Sequence, residues 1–292
     1  MPRYDQFENV AGLTYRSPWT DPKGWFFELM GGFNGRSHGH LDAGSFAVDY
    51  KGYRWAELLG SDSYSLTNYS VAPRRWAYYR CRTEGANTLS ISNQTQVALE
   101  FANQVPSANN SLLWAGSFDS FSCFVVVNLT EAYANITTSV LRGVVVLNNS
   151  QLLVRDDISA STAVDIAASW HTVSTVSLGS DKGTATLTQE DETMDLSLLS
   201  PSNAYLELVD TNPCDSYSGC SELTNEGIYN IAVRLAEMTI ETTIQLALTE
   251  SGTTVSDFDV PLADWNSLCS VDCWKGSNVE DPYWLDNAEI YY

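Results

Sequence analysis

The 292-residue sequence predicts an all-β fold, a large antiparallel β-sandwich. Three observations predict it. Apolar and polar residues alternate with a period of two over much of the chain, β-branched and aromatic residues fill the alternating positions, and Gly, Asn, Asp and Ser bound the runs. About a dozen short strands of this kind bury their apolar faces by stacking sheets.

Taken in order, residues 45–50 and 53–59 form two strands joined at Lys51-Gly52, a pair suited to a hairpin turn. Residues 121–129 follow as a strand, and 140–147 pairs with 151–156 through Asn148-Asn149-Ser150. Further strands fit 164–170, 184–188, 194–199, 204–209, 229–235 and 239–248, although 232–241 also holds enough helix formers for a short helix. There is no internal repeat and no Pro/Gly linker. Residues 1–250 are therefore expected to be one sandwich, with 251–292 a disulfide-tied extension packed on it.

With 44% hydrophobic, 12% aromatic and 17% charged residues, the chain has enough apolar surface to offset its conformational entropy. The formal net charge of −21 excludes a nucleic-acid partner, because one polyanion gains nothing by approaching another. The charge is uneven. Residues 1–82 hold ten Lys and Arg against eight acids, near +2, whereas the remainder is near −23. An anionic ligand is expected on the first part. No apolar run nears the roughly 20 residues of a membrane span, so no membrane partner is expected.

The segment Met1-Pro2-Arg3-Tyr4-Asp5 lacks the apolar stretch of a secretion signal, which alone would suggest the cytosol. The rest of the sequence opposes this. Six Asn-x-Ser/Thr acceptors, at Asn68, Asn93, Asn109, Asn128, Asn135 and Asn148, fall within 81 residues and suggest a secreted, extracellular glycoprotein whose Met1 is expected to be an internal position or the start of a cut or incomplete chain. Six cysteines agree, with Cys81–Cys123, Cys214–Cys220 and Cys269–Cys273 as the natural disulfide pairing. A cysteine-held zinc is the weaker reading, because no His or second Cys-x-x-Cys lies beside any pair.

His38 and His40 form a His-x-His pair, which on a strand would point both rings to one side, toward a shared metal or as a ligand beside a catalytic group. A structural hydrogen-bonding role is the competing reading. The run Arg74-Arg75-Trp76-Ala77-Tyr78-Tyr79-Arg80-Cys81-Arg82 sets guanidinium groups among rings. That suits a glycan site made by Arg74, Arg75, Trp76, Arg80 and Arg82, or else a packed strand whose arginines pair with acids. Glu190-Asp191-Glu192 and Asp156-Asp157 are read as solvated turns, with extracellular calcium left open.

Ser37-His38-Gly39-His40-Leu41-Asp42-Ala43-Gly44-Ser45-Phe46, then Tyr53-Arg54-Trp55-Ala56, Leu59-Gly60 and Tyr79-Arg80 leading into Arg82-Thr83-Glu84-Gly85-Ala86-Asn87-Thr88-Leu89, resembles the heparinase II/III-like polysaccharide lyases. The match is specific over about residues 25–92 and diffuse to about 170, where Trp170-His171-Thr172 looks like a further family segment. The resemblance implies a secreted enzyme with an α/α toroid followed by an antiparallel β-sandwich, of which this chain looks like the sandwich alone. It implies β-elimination on a uronate, in which the carboxylate is neutralised while His or Tyr takes the C5 proton and a Tyr serves as acid. His38 matches the family's sandwich histidine, and the loop tyrosine is best matched by Tyr69 and next by Tyr64. The carboxylate-facing Asn/His pair and one tyrosine would come from the toroid.

The resemblance also implies a zinc held by His, Asp and His. His40 matches the first ligand, but Leu58 stands at the aspartate's place, with Glu57 beside it, and Ala86 at the second histidine's. Hydrocarbon offers no lone pairs, and Glu57 would serve only if its strand slipped by one. No zinc and no other cofactor is expected, and His40 becomes a structural histidine. The expected function is thus a secreted, non-catalytic glycan-binding or structural module, inactive in isolation, that meets acidic polysaccharide or N-glycans and assembles as a homo-oligomer or polymer. The alternative is the sandwich part of an active lyase.

Overall fold

The computed structural model describes residues 4–7, 11–17, 19–71, 74–92, 104–119, 122–211, 222–256 and 258–275. The strands run β1 (Tyr4–Phe7), β2 (Gly12–Arg16), β3 (Phe26–Met30), β4 (Gly32–Phe33), β5 (Phe46–Tyr50), β6 (Tyr53–Ala56), β7 (Leu89–Ser92), β8 (Asn109–Asp119) and β9 (Ser122–Asn128). They continue with β10 (Thr137–Leu147), β11 (Gln151–Thr172), β12 (Thr175–Leu178), β13 (Thr184–Gln189), β14 (Glu192–Ser200), β15 (Ala204–Val209), β16 (Tyr229–Leu235), β17 (Thr239–Glu250) and β18 (Val271–Lys275). The described α-helix is one short turn, Trp265–Leu268. No helix among the described residues is long and apolar enough to cross a membrane.

Two antiparallel sheets stack. The smaller has the order β1-β2-β3-β5-β6; the larger runs β12-β13-β14-β17-β11-β10-β9-β8-β18, with β7 and β16 also paired to β11. The main core lies between them: Tyr15, Phe27, Val48 and Trp55 from the small sheet meet Val125, Val127, Val144 and Val146 from the large one. The intervening residues Phe124, Val126, Val145 and Leu147 face the other way, into a second core closed by Leu262 and Trp265. Central strands buried on both faces explain why 124–127 and 144–147 are unbroken apolar runs, since neighbouring side chains on a strand point to opposite sides.

Several expectations are corrected. The separate strands at 151–156 and 164–170 are parts of one 22-residue strand, β11, with a register shift between Ser159 and Val164. Residues 229–235 and 239–248 are strands as expected, and it is the alternative of a short helix over 232–241 that does not form. Asp156 is no solvated turn: it lies within β11 and accepts two hydrogen bonds from buried Arg142, at 2.7 and 2.8 Å. Cys81 and Cys123 are buried free thiols in different apolar clusters, so the expected bridge between them is not formed. Cys269–Cys273 is bonded. Cys214–Cys220 lies outside the described residues.

Candidate active site

The histidine pair sits in the turn-rich loop between β4 and β5, not on a strand. His38 takes a left-handed backbone, φ 60°, so the period-two argument for two rings on one side does not apply. Gly39 follows because a Cβ there would run into the carbonyl oxygens of Asn34 and Arg36. The loop is anchored from behind. Buried Arg75 donates to the carbonyl oxygens of Gly39 (2.9 Å), Tyr69 (2.9 Å) and His38 (3.1 Å). The Leu41 N–H donates to Cys81 O at 2.9 Å, Arg36 pairs with Asp42 at 3.2 Å, and Gln104 bridges Asn34 and Ala43.

That anchoring presents His38 to solvent. Its Nδ1 lies 2.7 Å from the hydroxyl of Tyr64, which is 53% exposed, and the two rings meet edge to face. Tyr64 is therefore the tyrosine brought to His38. Tyr69, favoured from sequence, is 1% exposed; its hydroxyl accepts from the Asp62 N–H at 2.8 Å, and burial followed by a hydrogen bond with Cys81 pushes its phenol up. Tyr69 instead packs edge-on against Tyr64 and under the Arg75 guanidinium, a support for the pair.

His40 is half-buried, and its imidazole is pulled down to about 4, first by burial and then by the positive charges of Arg75 and Arg36. The residues at the other family ligand positions do not fit zinc. Leu58 and Ala86 offer no donor atoms, Glu57 accepts from Arg54 and from the Leu58 N–H, and no group of three metal-ligating side chains occurs among the described residues.

A second constellation lies behind the site. Asn87 gives its amide hydrogens to the carbonyls of Phe46 and Glu57, both at 2.9 Å, which turns its Oδ1 toward the backbone N–H (2.6 Å) and Nδ1 (3.0 Å) of His171. His171 Nδ1 therefore carries the proton, and Nε2 accepts from the Tyr79 hydroxyl at 2.9 Å. All three side chains are buried; burial alone lowers His171 to about 3, and burial is the leading cause raising Tyr79. Asn87 and Tyr79 stand in the quoted sequence segments, but nothing in spacing assigned them roles.

The arginine run is a series of 3₁₀ turns, Arg74–Ala77, Tyr79–Cys81 and Thr83–Gly85, not a strand. Three of its arginines serve the fold. Arg75 holds the loop, Arg80 donates to Asn225 Oδ1 and to the carbonyls of Leu59 and Ser61, and Arg82 is buried against Glu84 at 2.5 Å. Arg74 is exposed and Trp76 half-buried. Among the acceptor asparagines, Asn109, Asn135 and Asn148 are exposed, Asn68 and Asn128 are half-buried, and Asn93 lies outside the described residues.

The fold and the anchored loop carrying His38 and Tyr64 define a heparinase-type β-sandwich, and the chain belongs to the family described as Heparinase II/III-like, C-terminal, whose model matches residues 30–244. Solved structures of the same fold include a mutant of the heparan sulfate lyase HepC from Pedobacter heparinus, at 18% identity and a TM-score of 0.65, with 87% of this chain and 37% of that one covered. Heparinase III matches at 17% identity and a TM-score of 0.63, covering 86% and 37%. The heparinase III-BT4657 gene product matches at 15% and 0.62, covering 84% and 35%. The chain thus spans little more than a third of these proteins' length. No curated protein matches it.

Proposed function

We propose that this chain is a secreted glycan-engaging module that binds acidic, uronate-containing polysaccharide at the surface carrying His38 and Tyr64, without cleaving it unaided. The observation that supports this most is the His38 Nδ1 to Tyr64 hydroxyl contact of 2.7 Å, held out to solvent by a loop whose polar anchors are buried. An imidazole and a phenol so placed can donate to and accept from a sugar's hydroxyls and carboxylate, and Arg74 is the exposed arginine of the run, with Trp76 half-buried beside it. Hydrocarbon at Leu58 and Ala86 argues for the non-catalytic form of this reading. Exposed Asn109, Asn135 and Asn148 suit N-glycosylation, and residues 255–265 packing on the large sheet suit an extension beginning near residue 251.

The second reading, part of a working lyase, is favoured by the same pair. His38 as base would take the C5 proton, the C–H electrons would form the C4–C5 double bond, the C4–O bond would break, and the Tyr64 hydroxyl would protonate the leaving oxygen. One experiment addresses both. Heparan sulfate, chondroitin sulfate and alginate oligosaccharides are titrated into the protein while the His38 ring is followed by NMR and the solution is watched for the absorbance of unsaturated uronate. Perturbation of His38, lost in Tyr64→Phe and kept in Tyr69→Phe, supports the module; sustained product that His38→Ala abolishes establishes the lyase. No response of His38 to any of the three sinks the assignment of this surface.

A further inference from the structure

The small sheet carries a second polar site on the face turned away from the core. Register places Arg16 opposite Phe26, Phe26 opposite Asp49, and Asp49 opposite Arg54, so these four side chains form one rung across β2, β3, β5 and β6. Their chain neighbours Tyr15, Phe27, Val48 and Trp55 point into the core, which fixes the rung outward. At the usual spacing between strands the rung spans roughly 14 Å. It floors a cleft of about 520 Å³ that Tyr53 and Glu57 help to line.

The chemistry of the rung selects its ligand. Arg54 is held by Asp49 and by Glu57 at 3.5 Å, so donors and acceptors are fixed before anything binds. Arg16 lies over the ring of Trp19, itself 58% exposed, at 5.3 Å, and its Nε is buried without a hydrogen-bond partner among the described residues. The Arg54 guanidinium lies among Asp49, Glu57 and Glu28, whose carboxyl burial pushes up, and Arg16 stands at the far end of the rung across Phe26. An anion would meet those carboxylates and a cation would meet the arginines. A neutral polyol suits both, because each hydroxyl can accept from a guanidinium and donate to a carboxylate while its C–H face lies on Phe26 or Tyr53.

We propose that the Arg16–Phe26–Asp49–Arg54 rung binds a neutral saccharide, separately from the His38 surface. Such a site would let the sandwich grip an uncharged stretch of glycan. The test is calorimetric titration of the full chain with glucose, galactose, mannose and xylose and with the trisaccharides cellotriose, mannotriose and xylotriose. Saturable binding is expected for at least one trisaccharide. It should weaken roughly tenfold in Arg16→Ala, the loss of a charged donor, and similarly in Phe26→Ala, and it should be unchanged in His38→Ala. A tight-folding check is the circular dichroism spectrum, and Arg16→Ala, at a partly exposed side chain, keeps the test valid where Phe26→Ala fails to fold. The proposal is overturned by no saturable binding from any of these sugars, by binding that Arg16→Ala leaves intact, or by competition from a heparan sulfate oligosaccharide. Loss in His38→Ala would likewise move the sugar to the other surface.

Discussion

The buried imidazole of His171 makes the fold acid-labile in a calculable way. In the unfolded chain this ring titrates near its ordinary value of 6.5, whereas in the folded protein burial lowers it to about 3. Below pH 6.5 the unfolded state therefore binds a proton that the folded state refuses, and stability falls as pH falls until the folded ring titrates. At about 1.4 kcal/mol for each tenfold change in proton affinity, the ceiling on this loss is about 5 kcal/mol. That compares with roughly 5–15 kcal/mol for a whole domain. Urea denaturation of the wild type and of His171→Gln from pH 7 to pH 4 measures it, because the half-buried His40 titrates in both proteins and cancels. The wild type should lose stability more steeply than the variant by about 1 kcal/mol per pH unit below pH 6. Parallel curves for the two proteins would refute the reasoning, as would a ring protonated at Nε2 in long-range nitrogen–proton spectra, since the Asn87 contact requires the proton on Nδ1.

Arg75→Ala should cost about 3 kcal/mol in chemical denaturation, because three carbonyls lose a charged donor; Arg75→Lys should recover little, since an ammonium cannot reproduce the fork. Iodoacetamide should leave Cys81 and Cys123 unlabelled in the native protein and label both in guanidinium; a peptide pair linked through these two residues would overturn the free-thiol assignment. Gly143→Ala should destabilise by about 1–3 kcal/mol and loosen the second core, because the new methyl would overlap Leu262 and stand 2.8 Å from Trp265. Thermal melts that match the wild type would count against that packing.

The sandwich was legible where one physical rule dominated. Lys51-Gly52 and Asn148-Asn149 turn because Lys51, Gly52, Asn148 and Asn149 all have positive φ, which those positions announce in sequence. Sequence patterning divides β11 in two because Ser161, Thr162 and Ala163 interrupt the apolar alternation, although the backbone continues through them. β8 was missed because it opens on Asn-Asn-Ser, residues typical of turns. Of the expected disulfides, Cys269–Cys273 is formed, whereas Cys81–Cys123 is not, for want of any sequence signal that Cys81 lies in the loop cluster with Tyr69 while Cys123 lies in the main core. Sequence singles out His38 but not its neighbour: whether Tyr64 or Tyr69 stands beside it depends on which phenol the Asp62 amide captures.

Where the arginines go decides what the His38 surface can attract. Arg142, Arg155, Arg234, Arg54, Arg36 and Arg82 meet carboxylates, which cancel most of their field. Arg75 gives its hydrogen bonds to carbonyl oxygens and forms no contact ion pair among the described residues, so its charge sits directly behind His38 and acts on Asp42 only through space. After burial, which is the leading cause, the Arg75 charge and then that of Arg36 lower the basicity of His40. In a protein of net charge −21 this guanidinium gives the proposed acidic ligand a local attraction at the His38 surface. The field has a measurable range. Between roughly 0.01 M and 1 M salt the screening length falls from about 30 Å to about 3 Å, so heparan sulfate oligosaccharide binding followed at His38 should weaken progressively across that series. An affinity that stays flat would show that Arg75 holds the loop without drawing the ligand to it.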